Sequence, residues 1–127
     1  MSMRYEVYRE IYFSSAHHLR NYCGKCENIH GHNWRIRLYV TRSELTPTGF
    51  VMDFKDIDRI LKKVTDVLDH KDLNSMGEFR DLNPTAENIA GYIFLKCEEE
   101  IRSIDLMAKV SRVMVWESEK SCAIVEA

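Results

Sequence analysis

The sequence predicts an α+β fold in which an antiparallel β-sheet carries two helices on one of its faces. Two segments with the alternation typical of strands lie before residue 42, and two more lie after residue 108. Two segments with helical spacing lie between these pairs. Strands and helices do not alternate along the chain as a parallel sheet would require, so the order of elements indicates an antiparallel sheet.

The first two strands are predicted over Arg4–His17 and over the run that begins at His30 and ends at Thr41. Their apolar positions of like parity are Tyr5, Val7, Ile11 and Phe13 in the first strand, and Trp34, Ile36, Leu38 and Val40 in the second. A loop over residues 18–29 joins the strands, and consecutive strands joined in this way usually pair antiparallel. That pairing places His17, at the end of the first strand, beside the start of the second.

The middle of the chain is predicted to form a short strand, a helix, a loop and a second helix. The short strand is Phe50–Asp53, and Asp53 then caps a helix from Phe54 to about Leu68. The polar segment Asp69–Asn83 is predicted to be a loop, and Thr85 is the expected N-cap of the second helix. The apolar stripes of the helices are Ile57, Ile60, Leu61, Val64 and Leu68, and then Ala86, Ile89, Ala90, Ile93, Phe94, Cys97 and Ile101.

The last two predicted strands are Lys109–Glu117 and Ser121–Val125. The former is apolar on both parities, with Val110, Met114 and Trp116 on one and Val113 and Val115 on the other. A sheet with helices on one side leaves its other face and both of its edges uncovered. We therefore expect copies of the chain to join edge to edge in a closed barrel, as a homo-oligomer.

Composition limits the class of protein. The chain has 127 residues, enough for the single domain that we expect over residues 1–127, and its formal net charge is −2. This charge argues against non-specific binding of nucleic acid, and no apolar run is long enough to span a membrane. The charged amino terminus has no apolar signal core, so we expect a cytoplasmic protein whose four cysteines are not structural disulfides.

The motif His30-Gly31-His32 opens the second strand. Its two imidazoles leave the same face of a strand, with Cα atoms roughly 6.6 Å apart. His17 has a compatible parity, so three neutral imidazoles would form an open site for zinc. The alternative is a strand with unrelated surface histidines. His18 breaks the parity of the first strand and is expected to face elsewhere.

Cys23 and Cys26 form a CxxC pair in the loop before the second strand. A zinc knuckle would need a second such pair, whereas Cys97 and Cys122 are expected in the core. Cys26 stands four residues before His30, where a metal and a histidine would lower the pKa of its thiol and make it a base or a nucleophile. A solvated loop thiol is the alternative.

Three carboxylates lie at positions suited to chemistry. Asp69 precedes His70 and can fix its tautomer, although a cationic residue at the end of a helix explains the pair as well. Glu117 ends a strand and can accept two parallel hydrogen bonds from an amidine-like ring edge, or can be an exposed turn residue. Glu87 lies in the first turn of the second helix, where a carboxylate is favourable in any case.

Six segments, taken together and in order, resemble the 6-pyruvoyl-tetrahydropterin synthase and 6-carboxytetrahydropterin synthase family. The segments are Phe13–His17, Cys26–His32, Gly49–Phe54, Leu68–Asn74, Asn83–Asn88 and Glu117. The resemblance implies the tunnelling fold, with trimer-based hexameric barrels and active sites between subunits.

The resemblance also implies roles for residues. The implied Zn²⁺ ligands are His17, His30 and His32. The implied proton carriers are Cys26, Asp69 and His70. The implied substrate-binding residues are Glu117, which would hold the pterin, and Thr85 and Glu87 near it.

The substrate that the resemblance implies is 7,8-dihydroneopterin triphosphate. The three residues between Cys26 and His30 resemble the spacing in bacterial 6-carboxytetrahydropterin synthases of the queuosine pathway, which are lyases that release acetaldehyde. Glu27 instead resembles a glutamate that directs the chemistry to 6-hydroxymethyl-dihydropterin for folate synthesis. Dual activity, a 6-pyruvoyl-tetrahydropterin synthase and a non-catalytic zinc- or pterin-binding protein are the alternatives. Arg20 and Lys25 are the candidates for contacts with the triphosphate.

Overall fold

The computed structural model describes residues 3–23 and 27–127, and its sheet contains four strands. The strands are β1 (Tyr5–His17), β2 (His30–Arg42), β3 (Ala108–Ser118) and β4 (Ser121–Glu126). They lie in the order β1-β2-β3-β4, and each neighbouring pair is antiparallel. The predicted sheet is confirmed, and β1 and β4 form its edges.

Two helices, α1 (Phe54–Asp66) and α2 (Ala86–Ile104), cover one face of the sheet. Asp53 and Thr85 cap them as predicted, each accepting a hydrogen bond from a backbone N–H of the first turn, at 2.8 and 3.1 Å. Over the described residues, neither helix combines the length and the apolar character that crossing a bilayer requires.

The buried core lies between the helices and the sheet. Its largest fully buried side chains include Trp34, Ile36 and Leu38 of β2, Ile57 and Leu61 of α1, and Ile89, Ile93 and Ile101 of α2. Cys97 is buried as predicted, and burial raises the pKa of its thiol to about 12. The prediction for Cys122 is wrong: this thiol is exposed, because Ala123 and Val125 take the inward positions of β4.

The predicted short strand Phe50–Asp53 is absent from the described structure, in which this segment is a bend. The backbone of Phe50 bonds back to Thr46: its carbonyl accepts from Thr46 N at 2.8 Å, and its N–H donates to Thr46 Oγ1 at 3.0 Å. These backbone groups therefore cannot join a strand ladder.

The segment between the helices is more ordered than the predicted loop. It contains two 3₁₀ helices, Leu73–Ser75 and Gly77–Phe79, and buries Leu73 and Phe79 in the core. Elements of three residues are too short to leave a periodic pattern, which is why the sequence did not indicate them.

A bulge changes the predicted parity of β3. The register between β2 and β3 shifts between Tyr39 and Val40, which leaves Ser111 as an extra residue. Val110 and Val113 are consequently both buried against the helices. The predicted grouping of Val110 with the opposite face is wrong, because a bulge reverses the alternation of a strand.

The sheet face without helices is charged and aromatic. The guanidinium groups of Arg35 and Arg37 lie 4.5 and 5.0 Å from the ring centre of Trp116. Glu10 on β1 pairs with both arginines, at 2.9 and 2.6 Å. Such a face cannot be a second hydrophobic core, and it suits the solvated interior of the barrel that the sequence predicts.

Candidate metal centre

The β1–β2 hairpin brings the three predicted histidines together. His17 pairs with His30 across the hairpin, and Ser15 pairs with His32. Because alternate positions of a strand share a face, all three rings leave the sheet on the helix side, as the parity argument predicts. Their centres form a nearly equilateral triangle with sides of 4.7, 4.9 and 5.0 Å.

Backbone carbonyls fix the orientation of two of these rings. His17 Nδ1 lies 2.7 Å from the carbonyl oxygen of Pro84, and His30 Nδ1 lies 2.9 Å from that of Asn28. A carbonyl oxygen can only accept a hydrogen bond, so each Nδ1 carries the proton and each Nε2 keeps its lone pair. This is the tautomer that a histidine needs in order to bind a metal through Nε2.

The environment of the cluster fits a bound cation. The Nε2 atoms of His17 and His32 are buried, and among the described residues neither forms a hydrogen bond of good geometry, although the carboxylate of Glu117 lies close to both. Buried polar atoms without a partner are rare, and here they face one common point. Burial also lowers the pKa of His32, which favours its neutral, metal-binding form. Three imidazoles suit zinc and other borderline divalent ions.

Glu117 is the fourth member of the cluster. Its Oε1 lies 3.0 Å from Nε2 of His32 and 3.7 Å from Nε2 of His17. One potential ligand atom from each of the four side chains lies within 4.8 Å of the others. Sequence reasoning did not place Glu117 beside the histidines. The parity that it shares with Val113 and Val115, which face the helices, was the signal that could have done so.

Trp34 supports the cluster from the core side. Its ring lies 5.0 Å from the ring of His17 and 5.2 Å from that of His32, and it has no exposed surface. The indole N–H donates to the carbonyl of Ser15 at 3.4 Å. The imidazoles therefore rest on a rigid apolar surface that keeps water away from one side of the site.

The segment that follows α1 is attached to the edge of β1 beside the histidines. The N–H of His70 donates to the carbonyl of Ser14 at 2.6 Å, and the N–H of Ala16 donates to the carbonyl of Lys71 at 2.9 Å. An isolated parallel bridge joins Ala16 to Asp72. The sheet thereby fixes the position of the predicted Asp69–His70 relay.

Asp69 holds both the edge strand and the ring of His70. Its Oδ1 accepts from Ser14 N at 2.9 Å, and its Oδ2 lies 3.0 Å from His70 Nδ1. The Ser14 N–H, and after it the His70 ring, hold the pKa of Asp69 below its usual value. The ring of His70 is 83% exposed, so Nε2 faces outward, where it can exchange a proton with a molecule outside this chain.

Replacing Asp69 with Asn should destabilise the protein in a pH-dependent way. A depressed carboxyl pKa in the folded state contributes stability above the unfolded pKa, and this contribution is lost as the pH falls through the folded value. We expect Asp69→Asn to lower the free energy of unfolding at pH 7 by about 1 kcal/mol or less, since the pair is partly exposed. The difference from the wild type should shrink below about pH 4. Urea unfolding at several pH values measures it, and a difference that does not change with pH would contradict the assignment.

His70 adopts a backbone conformation that is unfavourable for a residue with a side chain. Its φ is +56°. Both His70→Gly and His70→Ala remove the ring, but glycine relieves the strain, so the Gly variant should be more stable than the Ala variant by about 1 kcal/mol. Thermal unfolding of the two variants measures this difference, and equal stabilities would show that the backbone is not strained. We expect both variants to lose activity, and an active Gly variant would exclude a proton-transfer role for His70.

The other predicted site residues have different surroundings. Cys26 and Lys25 lie outside the described residues. Glu27 accepts the backbone N–H of Leu19 through Oε1 at 2.9 Å, which closes the loop before β2. Thr85 acts as a helix cap, and Glu87 is exposed in the first turn of α2.

Arg20, a candidate for contacts with the triphosphate, bonds to backbone groups of its own chain. Its guanidinium group donates to the backbone carbonyls of Phe79 and Leu82, and its own backbone N–H donates to the Asn83 side chain. The arginine therefore ties the loop after β1 to the 3₁₀ segment. The sequence could not indicate this use, because the partners are carbonyl groups about 60 positions away along the chain.

The fold and the site define a class of protein in which two helices back an antiparallel sheet. In this class, three histidines form a candidate metal centre at the end of the first hairpin. The family model of 6-pyruvoyl tetrahydropterin synthase matches residues 6–127, and the chain belongs to this family.

Known relatives support the assignment. The chain is 41% identical over 98 residues to the 6-carboxy-5,6,7,8-tetrahydropterin synthase of Synechocystis sp., a match that covers 73% of the chain and 74% of the relative. It is 30% identical to the protein of the same name from Haemophilus influenzae, with coverages of 92% and 95%. The solved structure of Caenorhabditis elegans 6-pyruvoyl tetrahydropterin synthase superposes with a TM-score of 0.81 at 24% identity, over 99% of this chain and 97% of that one. This likeness confirms the predicted tunnelling fold.

Proposed function

We propose that this protein is a zinc-dependent 6-carboxy-5,6,7,8-tetrahydropterin synthase of queuosine biosynthesis. It would convert 7,8-dihydroneopterin triphosphate into 6-carboxytetrahydropterin with release of acetaldehyde and triphosphate. The observation that carries the proposal is the convergence of His17, His30 and His32 on one point, with the carboxylate of Glu117 beside them. The names of the Synechocystis and Haemophilus relatives favour this member of the family.

The three imidazoles would hold the metal. Zinc, when bound, would polarise the vicinal hydroxyl groups of the substrate side chain as a Lewis acid. His17 and His30 are prepared for this role because backbone carbonyls hold their Nδ1 protons. Glu117 would accept N–H groups from the guanidine-like edge of the pterin, near Thr85 and Glu87, and thereby orient the ring.

Proton transfer is assigned to Cys26 and to the Asp69–His70 pair. With its Nδ1 proton held by Asp69, His70 offers Nε2 as the atom that takes up a proton and returns it. Because this ring faces outward from its own chain, we propose that it acts on substrate bound in an adjoining subunit. The free edges of β1 and β4 would join such subunits into the predicted trimer-based hexamer.

Product analysis tests the proposal. The zinc-loaded protein is incubated with dihydroneopterin triphosphate, and acetaldehyde together with 6-carboxytetrahydropterin is the expected result. Formation of 6-hydroxymethyl-dihydropterin would instead assign the protein to folate synthesis. Unchanged substrate in the presence of stoichiometric zinc would make it a binding protein.

Single variants then assign the base. We expect Cys26→Ala to abolish turnover and Glu27→Ala to leave most of it, because the Glu27 carboxylate is engaged by the backbone of Leu19. Activity that survives loss of Cys26 and disappears with Glu27 would reverse the assignment.

A further inference from the structure

The proposed substrate carries a triphosphate, which needs cationic partners that the site described so far does not supply. Phosphate oxygens are bound in proteins mainly by Arg, Lys and N–H donors. The guanidinium group of Arg20 is engaged by backbone carbonyls, and Lys25 lies outside the described residues. Lys71 is a further cation at this end of the sheet.

A cavity of about 350 Å³ lies at the same end of the sheet. Its lining includes Ser14, Ala16, Gly31 and Asn33 of the β1–β2 hairpin, with His70 and Lys71 from the segment attached to the edge of β1. Ser15 and the metal-site residue His32 line it as well, so the cavity lies beside the metal centre at the end of the hairpin.

The charge of this cavity suits an anion. No carboxylate lines it, and among the described residues no acidic group lies within 4.0 Å of the Lys71 ammonium. The two nearest acidic residues in the sequence are engaged elsewhere: Asp69 holds Ser14 N and His70, and Asp72 accepts the N–H of Asn74 at 3.2 Å. Lys71 is therefore the cation of this cavity that lacks a partner among the described residues.

The floor of the cavity can accept a polar ligand. Ser14 Oγ donates to Asn33 Oδ1 at 2.6 Å, which leaves the side-chain N–H groups of Asn33 without an acceptor among the described residues. Gly31 keeps the floor open. A Cβ on Gly31 would meet only the carbonyl of Ser15, at an ordinary 3.9 Å, so packing within the chain does not explain the missing side chain.

We propose that Lys71, assisted by His70 and Asn33, binds the triphosphate of the pterin substrate in this cavity. The inference rests on the proposed function and adds to it the residues that recognise the phosphate chain. Since the His70 ring beside the cavity faces outward from its own chain, the phosphates bound there belong to a substrate at the metal centre of an adjoining copy.

Binding of inorganic triphosphate to the assembled, metal-stripped protein tests the proposal, because metal removal excludes chelation of the probe. By calorimetry, Lys71→Met should weaken binding about tenfold, the scale of one charge-assisted hydrogen bond, and Lys71→Arg should restore most of it. Lys55→Met is the matched control: this exposed lysine lies in the first turn of α1, and the variant should bind like the wild type. Equal affinities for the wild type and Lys71→Met would overturn the proposal.

Steady-state kinetics separate this inference from the proposed function. For the triphosphate substrate, Lys71→Met should raise KM about tenfold, whereas the binding of dephosphorylated dihydroneopterin, measured as its inhibition constant, should be unchanged. Lys71-dependent triphosphate binding without pterin turnover would refute the proposed function and leave the phosphate site in place. Pterin turnover together with triphosphate binding that does not depend on Lys71 would support the proposed function and refute the phosphate site.

Discussion

Replacement of His32 by alanine is expected to remove bound zinc and to abolish activity. His32 supplies one of three converging imidazoles, and its loss leaves only His17, His30 and the Glu117 carboxylate, which the proposed function assigns to the pterin rather than to the metal. Loss of an outer-sphere partner of a metal ligand already costs about 10–100-fold in affinity, so loss of a ligand should cost at least about 100-fold. Activity should fall in parallel.

Metal analysis and thermal unfolding measure this effect without relying on turnover. Added zinc should raise the melting temperature of the wild type, because a ligand that binds only the folded state stabilises it. It should have little effect on His32→Ala. His18→Ala is the matched control, since His18 lies outside the cluster and should leave zinc content unchanged. A full complement of zinc in His32→Ala would show that the histidines are not the ligands.

Replacement of Trp34 by alanine is expected to have the largest effect on stability. The side chain is fully buried and lies against Phe13, at a ring distance of 6.2 Å, and against two of the cluster imidazoles. A Trp→Ala change in a core leaves a cavity and typically costs about 3–5 kcal/mol. Zinc affinity should fall as well, because His17 and His32 lose the surface that fixes their rings.

The chain provides its own control for this substitution, since it has two tryptophans. Trp116 lies on the sheet face without helices, under the guanidinium groups of Arg35 and Arg37. Its replacement by alanine should cost about 1 kcal/mol, the scale of such cation–π contacts. Urea unfolding of both variants tests the contrast, and similar losses in the two would show that Trp34 does not organise the core.

The fold was largely predictable because its elements are long and regularly patterned. Alternation located β1 and β2, and the antiparallel pairing of a hairpin then placed His17 opposite His30. The same reasoning failed where the pattern is short or interrupted. The bulge at Ser111 reversed the parity of Val110, and the two 3₁₀ helices are too short to repeat.

The candidate site was predictable only as far as it depends on neighbouring strands. The histidines converge because β1 and β2 are consecutive strands, and the register of their pairing can be counted from the sequence. Glu117 approaches them from β3, whose pairing with β2 spans most of the chain, and Arg20 is engaged by carbonyl groups that carry no sequence signal. The parity of Glu117 with Val113 and Val115 indicates its face of the sheet, but its distance from the histidines and the bonds of Arg20 required the structure.

The backbone bonds that attach residues 70–72 to β1 also limit how subunits can join. They occupy the outer edge of β1 near Ser14 and Ala16, so an incoming strand can pair only with the part of β1 that precedes them. The six-residue β4 of another copy is short enough to fit this remaining edge. In the proposed barrel, the attached segment would therefore permit few offsets between neighbouring sheets and favour one geometry of closure.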